Sequence, residues 1–513
     1  MLSISRRNLL QGAAAATLAS SLGRNAMAAP KRGGHLRIGL ALGTTSDNLD
    51  PTSTPIDSGF LLLATHRNTL VGMNANRDLT PNLAEKWESS KDFKTWAFDI
   101  RPGATFHSGK SVTTEDVIAS LNIHRGKDSP SPAKALLDPI TDVKADGKNR
   151  IVITLDHPNV EFPSLLKSDF LVIVPSKDGN ADRATKDGTG PYMLDTFEPG
   201  QRMTFKRNPN YWDLENEGFL ESAEVLIIAD PAARMNALRS NQVDLVNAVD
   251  LKTVELLKSV KGLKVEELPS GFYNGLAMMV DVKPFDDNNV RMALKYAVNR
   301  QEMVDKVLLG HGTIGNDTPI FPTAKYFNKD LPQREYDPEK AKFYLKKSGL
   351  DSIDIPLSVS EAGFPGAVTA GTLFAASAAA AGIKINVTRE PDDSYWSNVW
   401  LKKPFCASYW HEALTADARF TEAFLPTSPW GETHFNNERF KELAVTARGT
   451  ADEAKRTEMY YEMQKIVHED GGALIPMFMN YVWAAKDNVV HPSDMSSLGD
   501  LDGFRCITRW SMA

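Results

Sequence analysis

The chain has 513 residues, of which 42% are hydrophobic, so it is long enough for two or three domains that each bury a core. Its formal charge of −7 excludes the basic surface that nucleic-acid phosphates require. We therefore expect a soluble, mildly acidic protein of several domains, with no nucleic-acid partner.

The first 28 residues have the features of an export signal. The pair Arg6-Arg7 precedes an apolar, alanine-rich run from Gly12 to Leu22, and Ala26-Met27-Ala28 supplies small residues for cleavage. The twin arginine is typical of Tat export, with Sec export as the alternative. The run is shorter than the roughly 20 residues that a membrane span needs. We predict a signal peptide over 1–28 and a periplasmic mature protein.

Alternating apolar and polar residues predict strands along the mature chain. The pattern occurs at 34–40 and 96–100, and again at 151–155. Glycine and proline end these runs at Pro102-Gly103 and Pro158.

Helix starts are marked by capping residues. Four helices are predicted, and they begin at Thr113 with Asp116, at Asp287 (extending to Gly310), at Asp337-Pro338 and at Thr450 with Glu453. Strands and helices thus mix throughout, which predicts an α/β fold. The clearest internal boundary lies at Asp281–Pro284, where alternating residues give way to long helical patterns.

The sequence lacks the motifs of common enzymes and metal sites. It has no Walker phosphate loop, no dinucleotide-binding glycine motif, no hydrolase nucleophile elbow and no H-E-x-x-H. The ten histidines are dispersed, and neither Cys406 nor Cys506 belongs to a C-x-x-C pair. We expect no catalytic residues, no cofactor and no metal. Whether the two cysteines form a disulfide stays open.

The segment from Tyr395 to Asp417 has the composition of a ligand site. Aromatic residues are dense in it and a carboxylate ends it, a combination that can sandwich an organic ligand and fix its cationic end. The alternative is a buried strand whose aromatic side chains belong to the core.

Several short motifs occur in a fixed order over nearly all of the mature chain. They are Asn82–Trp87, Trp96–Lys110, Thr114–Val117, Gly188–Tyr192, Arg207–Trp212, Val290–Leu294, Ala297–Arg300 and Tyr336–Ala341. This series resembles the family 5 extracellular solute-binding proteins of ABC importers, which include dipeptide, oligopeptide, nickel and opine binders.

The resemblance implies a periplasmic-binding-protein type II fold, with two lobes, a hinge and an extra subdomain in lobe I, as in cluster C. Lobe I would comprise 29–280 and 482–513, with the subdomain at about 81–204, and lobe II would comprise 281–481. The two hinge crossings would lie near Val280 to Lys283 and Asn480 to Trp483.

The resemblance also implies a function without catalysis. A short peptide or peptide-like solute would bind between the lobes, and the mature protein, as a monomer, would deliver it to the transmembrane permease subunits of the importer. In peptide-binding relatives, an acidic residue downstream of a tryptophan holds the ligand's α-ammonium. The matching stretch and a polar loop after the first strand give the candidate ligand residues Asp417, Trp410, Tyr409, His411, Arg419, Thr44, Thr45 and Asp47.

Other ligands and activities remain open. The spacing between Trp410 and Asp417 is longer than in peptide binders and resembles a branch that binds opine or sugar conjugates. His411 beside Trp410 motivates a nickel or metal-chelate binder. A periplasmic peptide hydrolase or a chaperone-like peptide holder is the alternative of another class.

Overall fold

Two large sheets, one of seven strands and one of six, organise the computed structural model, which describes residues 30–53 and 56–513. Each sheet has its own hydrophobic core. The mixed α/β class and the two-lobed type II fold predicted from the sequence are confirmed. The predicted signal peptide lies outside the described residues.

The seven-stranded sheet forms the first lobe. Its central strand is parallel to two neighbours and buries Leu36, Ile38 and Leu40 completely. In spatial order the strands are Tyr192–Glu198, Arg202–Arg207, Ser222–Ile227, His35–Leu40, Leu245–Val246, Tyr481–Lys486 and Leu263–Leu268.

The six-stranded sheet forms the second lobe. Its strand Tyr273–Met278 is buried along its whole length and is antiparallel to both neighbours. In spatial order the strands are Gly312–Ile314, Ala473–Met479, Tyr273–Met278, Phe405–Trp410, Ile353–Val359 and Ile383–Arg389.

The chain crosses between the two sheets twice. The first crossing lies at residues 269–272, between Leu263–Leu268 and Tyr273–Met278. The sequence predicts it about ten residues later, at Val280 to Lys283, because periodicity identifies a strand but not the sheet that the strand joins. The second crossing is at Asn480, at the start of the predicted range.

A separate antiparallel sheet forms the extra subdomain. Its strands in order are Ala84–Ser89, Thr95–Ile100, Arg150–Leu155 and Ile140–Ala145. The side chains of Trp96, Phe98 and Ile100 point to its core, as their alternation predicts. The subdomain ends before the predicted residue 204, since the strands from Tyr192 onward belong to the seven-stranded sheet.

Helices cover both large sheets. In the first lobe the helices are Asp57–His66, Pro231–Arg239, Val254–Lys258 and Cys506–Arg509, and the helices Thr114–Asn122, Lys134–Leu137 and Phe162–Leu165 pack on the sheet of the subdomain. Those of the second lobe are Asn288–Ala297, Arg300–Lys306, Pro338–Lys347, Ala367–Ala379, Tyr395–Asn398, Ala416–Phe424, Glu438–Gly449 and Glu453–Asp470. Within the described ranges, no helix combines the length and the apolar character that crossing a membrane would take.

Two of the four predicted helix starts agree fully with the structure. Thr113 and Asp116 form a reciprocal capping box, and the Asp337 side chain accepts a hydrogen bond from the backbone N–H of Lys340. The helix capped by Asp287 is shorter than predicted, because the backbone is extended at Val298 and Asn299 and a new helix follows.

The fourth predicted start is displaced by two residues. Asp452, rather than Thr450, caps the helix Glu453–Asp470. The hydroxyl of Thr450 instead donates to the carbonyl of Thr446 at the end of the preceding helix. A threonine between two helices can bond to the end of one or cap the start of the next. Here Asp452, which is nearer to the second helix, is its N-cap.

The two cysteines do not form a disulfide. Cys406 is buried in the six-stranded sheet of the second lobe, and Cys506 is buried in the core of the first lobe. Because they belong to different lobes, their thiols cannot pair without disrupting the fold.

Candidate ligand-binding cleft

An aromatic cluster lies where the second lobe meets the hinge. The Phe272 ring stacks on the Tyr409 ring with centroids 5.2 Å apart, and the His411 ring lies 4.6 Å from Phe272. Trp396 meets Tyr409 edge-on at 5.4 Å and is 39% exposed. We call Phe272, Trp396, Tyr409 and His411 the aromatic cluster. Its open rings can cover a flat or apolar part of a ligand.

Strand register explains why these rings come together. Tyr273 pairs with Trp410 across two antiparallel strands, which places Phe272 opposite His411 and on the same face as Tyr409. Trp410 points to the opposite face.

A buried carboxylate fixes the tryptophans behind the cluster. Glu432 accepts hydrogen bonds from the indole N–H of Trp400 at 2.7 Å and of Trp410 at 2.9 Å, and from the Ser408 hydroxyl at 3.0 Å. Burial raises its pKa. Trp400 in turn contacts Trp396 edge-on at 5.5 Å. Glu432 therefore restrains the wall against which the exposed Trp396 rests.

The first lobe contributes two carboxylates, Asp57 and Asp500, which we call the acid pair. The amide nitrogen of Asn247 donates to both, at 3.3 Å to Asp57 and 3.0 Å to Asp500. Burial and the neighbouring Asp500 charge raise the pKa of Asp57 to about 7, and burial raises the pKa of Asp500 to about 6. Holding both groups ionised is therefore costly without a cation nearby.

The acid pair has no cationic partner in the part of the chain that the structure describes. Arg234 lies within electrostatic reach but donates its hydrogen bonds to four backbone carbonyls, those of Ile228, Ala229, Asn247 and Ala248. Neither Asp57 nor Asp500 forms an ion pair with any described residue. A positively charged ligand group would supply the missing charge.

The acid pair lies within electrostatic reach of the aromatic cluster in the opposite lobe. Burial raises the pKa of Tyr409, and the charge of Asp57 in the opposite lobe raises it further. Tyr481, which follows the hinge residue Asn480, has a raised pKa because of burial and the charges of Asp500, Glu412 and Asp57. Phe272 lies 6.5 Å from the Tyr481 ring. Asp57 is therefore close enough to Tyr409 of the opposite lobe for its charge to act there, and both groups lie near the hinge.

Asp500 is positioned by an uncommon backbone conformation. Leu501, Asp502 and Phe504 all have positive φ angles, of 48°, 68° and 61°, which non-glycine residues adopt only at a cost. Asp502 anchors this turn by accepting two 2.8 Å hydrogen bonds from Arg509. Strain held at this position is consistent with a functional role for Asp500.

The predicted anchor Asp417 lies in a different environment. It belongs to the helix Ala416–Phe424 and is only 7% exposed. Both of its carboxylate oxygens accept from Nε of Arg448, at 2.8 and 3.0 Å. Asp417 therefore already has a cation within the second lobe, and the structure does not bring it together with the acid pair.

The other residues predicted near Trp410 lie around the aromatic cluster. Tyr409 and His411 are part of it. Arg419 sits over the Trp410 ring at 4.7 Å and donates to the backbone carbonyl of His411. Arg419 and Trp410 therefore support the cluster from behind.

The predicted loop residues lie in the first lobe. Thr44 and Thr45 are exposed and pack through their backbone against Gly200. Asp47 accepts from the Ser58 hydroxyl at 2.6 Å and from the Thr44 backbone N–H at 3.1 Å. The loop thus fixes the start of the helix that carries Asp57.

Sequence reasoning missed the acid pair and Phe272. The position of Asp57 is typical of an acidic residue in the first turn of a helix. Asp500 lies in a Gly-Asp-Leu-Asp-Gly segment, whose composition is typical of a turn. Nothing in their spacing links two positions that are more than 400 residues apart.

Comparison with known proteins agrees with this architecture. The model of the bacterial extracellular solute-binding proteins, family 5 Middle, matches residues 78–432. The dipeptide-binding protein of Escherichia coli K12 is 27% identical over 438 residues, which cover 78% of this chain and 80% of that protein.

Two solved structures share the fold. The peptide-bound periplasmic binding protein DppA of Helicobacter pylori superposes with a TM-score of 0.77 at 21% identity, over 94% of this chain and 98% of that one. The binding protein AgaA of A. tumefacien R10, in complex with agropinic acid, gives a TM-score of 0.78 at 23% identity, over 94% and 99%. With a family model that matches more than half of its residues, this chain belongs to the family 5 bacterial extracellular solute-binding proteins.

Proposed function

We propose that the protein captures a short peptide or peptide-like solute that carries a free amino group. The observation behind this proposal is the acid pair, which forms no ion pair with any residue that the structure describes and whose Asp57 charge reaches Tyr409 of the aromatic cluster. An ammonium group between Asp57 and Asp500 would form charge-assisted hydrogen bonds in a site that is largely shielded from water. The aromatic rings would cover the adjoining part of the solute.

Transport follows from closure of the lobes around the solute. A ligand that contacts both lobes binds the closed form more tightly than the open form, and so it shifts the population toward closure. We propose that the closed, mature protein acts in the periplasm, without catalysis, and delivers its solute to an ABC permease. The export signal predicted over residues 1–28 supports this location.

Relatives favour a peptide among amine-bearing solutes. The E. coli relative is a dipeptide-binding protein, and the H. pylori structure contains a peptide. The structure with agropinic acid makes an opine conjugate the main competing ligand.

Thermal unfolding with matched ligands tests the proposal. Dipeptides with free amino termini should raise Tm in a concentration-dependent way, whereas the same dipeptides acetylated at the N-terminus should not, because acetylation removes the positive charge. Opines and Ni²⁺–histidine are the comparison ligands, and mass spectrometry of the peptides after incubation reports hydrolysis. Stabilisation by the comparison ligands alone, or cleavage of the peptides, would contradict the proposal.

A further inference from the structure

A second chamber adjoins the cleft on the side of the extra subdomain. It has a volume of about 620 Å³, which is within the range of small-molecule sites. The turn around Arg77 and the segment near Ser164 line it from the first lobe, and residues 319–321, 323–326 and 412–416 line it from the second lobe. A chamber of this size beside a solute site could hold further residues of a longer solute.

An ion pair between the lobes lies at the boundary of this chamber. Nη2 of Arg77, from the first lobe, is 2.5 Å from Oε1 of Glu412, from the second lobe. The two side chains are 8% and 5% exposed, and both line the chamber. The chamber is therefore bounded by a buried pair of opposite charges that joins the two lobes.

The same ion pair also borders the aromatic cluster. Glu412 follows His411 in the chain, and its Oε2 accepts from the backbone N–H of Gly271 at 3.1 Å, next to Phe272. The fit is close, because a Cβ atom at Gly271 would lie 2.5 Å from the Glu412 carboxyl carbon. Glu412 thus stands between the aromatic cluster and the second chamber.

Further hydrogen bonds hold the pair in place. Ser497 belongs to the C-terminal segment that also carries Asp500. Its hydroxyl donates to Oε2 of Glu412 at 3.0 Å and accepts from Nη2 of Arg77 at 3.1 Å. Arg77 itself has a φ of 69°, which fixes the turn from which it projects. Buried charges with several partners keep a defined position.

We propose that Arg77 and Glu412 form a partition that limits the length of the captured solute. A short solute fills the space between the acid pair and the aromatic cluster, and the partition blocks its extension into the second chamber. This inference rests on the proposed function, since a length limit has meaning only for a chain-like solute.

Calorimetric titration with alanine peptides of two to six residues tests the partition. Wild-type protein should bind the short peptides and lose affinity at a defined length. Arg77→Ala combined with Glu412→Ala removes both charges together, so that neither is left buried alone. This variant should raise the affinity for the longer peptides, relative to that for the dipeptide, at least tenfold above the wild-type ratio.

Two further variants keep the test decisive. Arg77→Ser with Glu412→Ser repeats the measurement if the alanine variant does not fold. Arg439→Ala with Glu462→Ala removes an exposed arginine–glutamate ion pair of the second lobe, away from the chamber, and should keep the wild-type length limit.

The outcomes separate the partition from the proposed function. If wild type binds the peptides and both partition variants show the same length dependence as wild type, the partition is wrong and the proposed function stands. Equal wild-type affinity for all lengths also overturns it. Failure of wild type to bind any of these peptides contradicts the proposed function, and the partition with it.

Discussion

At the scale of single residues, the acid pair makes ligand binding depend on pH. The pKa values of about 7 for Asp57 and about 6 for Asp500 lie above the ordinary value of an aspartate, so the folded ligand-free protein holds protons that the unfolded chain releases. The cost of ionising the pair, in free energy of folding, is absent below about pH 4 and fully present above about pH 7. A bound ammonium reverses this balance, because it stabilises the ionised pair.

We predict that affinity for an amine-bearing peptide rises from pH 5 to pH 7, by up to about tenfold per unit between the two pKa values and more steeply below the lower one, where both carboxylates must lose a proton. The ligand's amino group stays charged over this range, because its own pKa is near 8. Asp57→Asn should lower the affinity at pH 7 by about tenfold or more and should flatten the pH profile. Calorimetric titration at several pH values measures both effects, and a wild-type affinity independent of pH would contradict the assignment.

At the scale of secondary-structure elements, Asp417 joins two helices of the second lobe. Its ion pair with Arg448 connects Ala416–Phe424 to Glu438–Gly449, and both side chains are largely buried. The sequence-based hypothesis assigns Asp417 to the ligand, whereas its position here favours a role in stability.

Asp417→Asn should therefore destabilise the protein by about 3 kcal/mol, since it leaves the Arg448 cation buried without its partner. The affinity of the folded protein for its solute should change less than threefold. Urea unfolding and calorimetric titration measure the two quantities separately. Unchanged stability together with a large loss of affinity would restore Asp417 as the ligand anchor. Glu438→Gln, a change at an exposed side chain paired with Lys441, is the matched control and should have little effect on either.

The sequence predicts elements of this protein better than it predicts their assembly. Local chemistry determines the capping box at Thr113 and the alternating burial of Trp96, Phe98 and Ile100, so both follow from short segments. The first hinge crossing and the end of the subdomain depend on which sheet a strand joins, which no local pattern encodes. The acid pair depends on a contact between the first helix and the C-terminal segment, and the aromatic cluster depends on strand register.

At the scale of the whole molecule, the proposed site is divided between the two lobes. The first lobe supplies negative charge through Asp57 and Asp500, and the second lobe supplies aromatic surface through Tyr409 and Trp396. Neither half encloses a solute alone, so tight binding requires both lobes and therefore favours closure. This division of the site gives a physical basis for selecting solutes that carry a positive charge beside an apolar group.

Native mass spectrometry of the protein purified from the cells that naturally produce it tests this account most directly. The account predicts one bound solute per chain, with a mass and fragmentation that identify a short peptide or a similar compound with a free amino group. The same preparation of the Asp57→Asn, Asp500→Asn double variant should retain little of it. A bound solute without a positively charged nitrogen, or full retention by the double variant, would contradict the account.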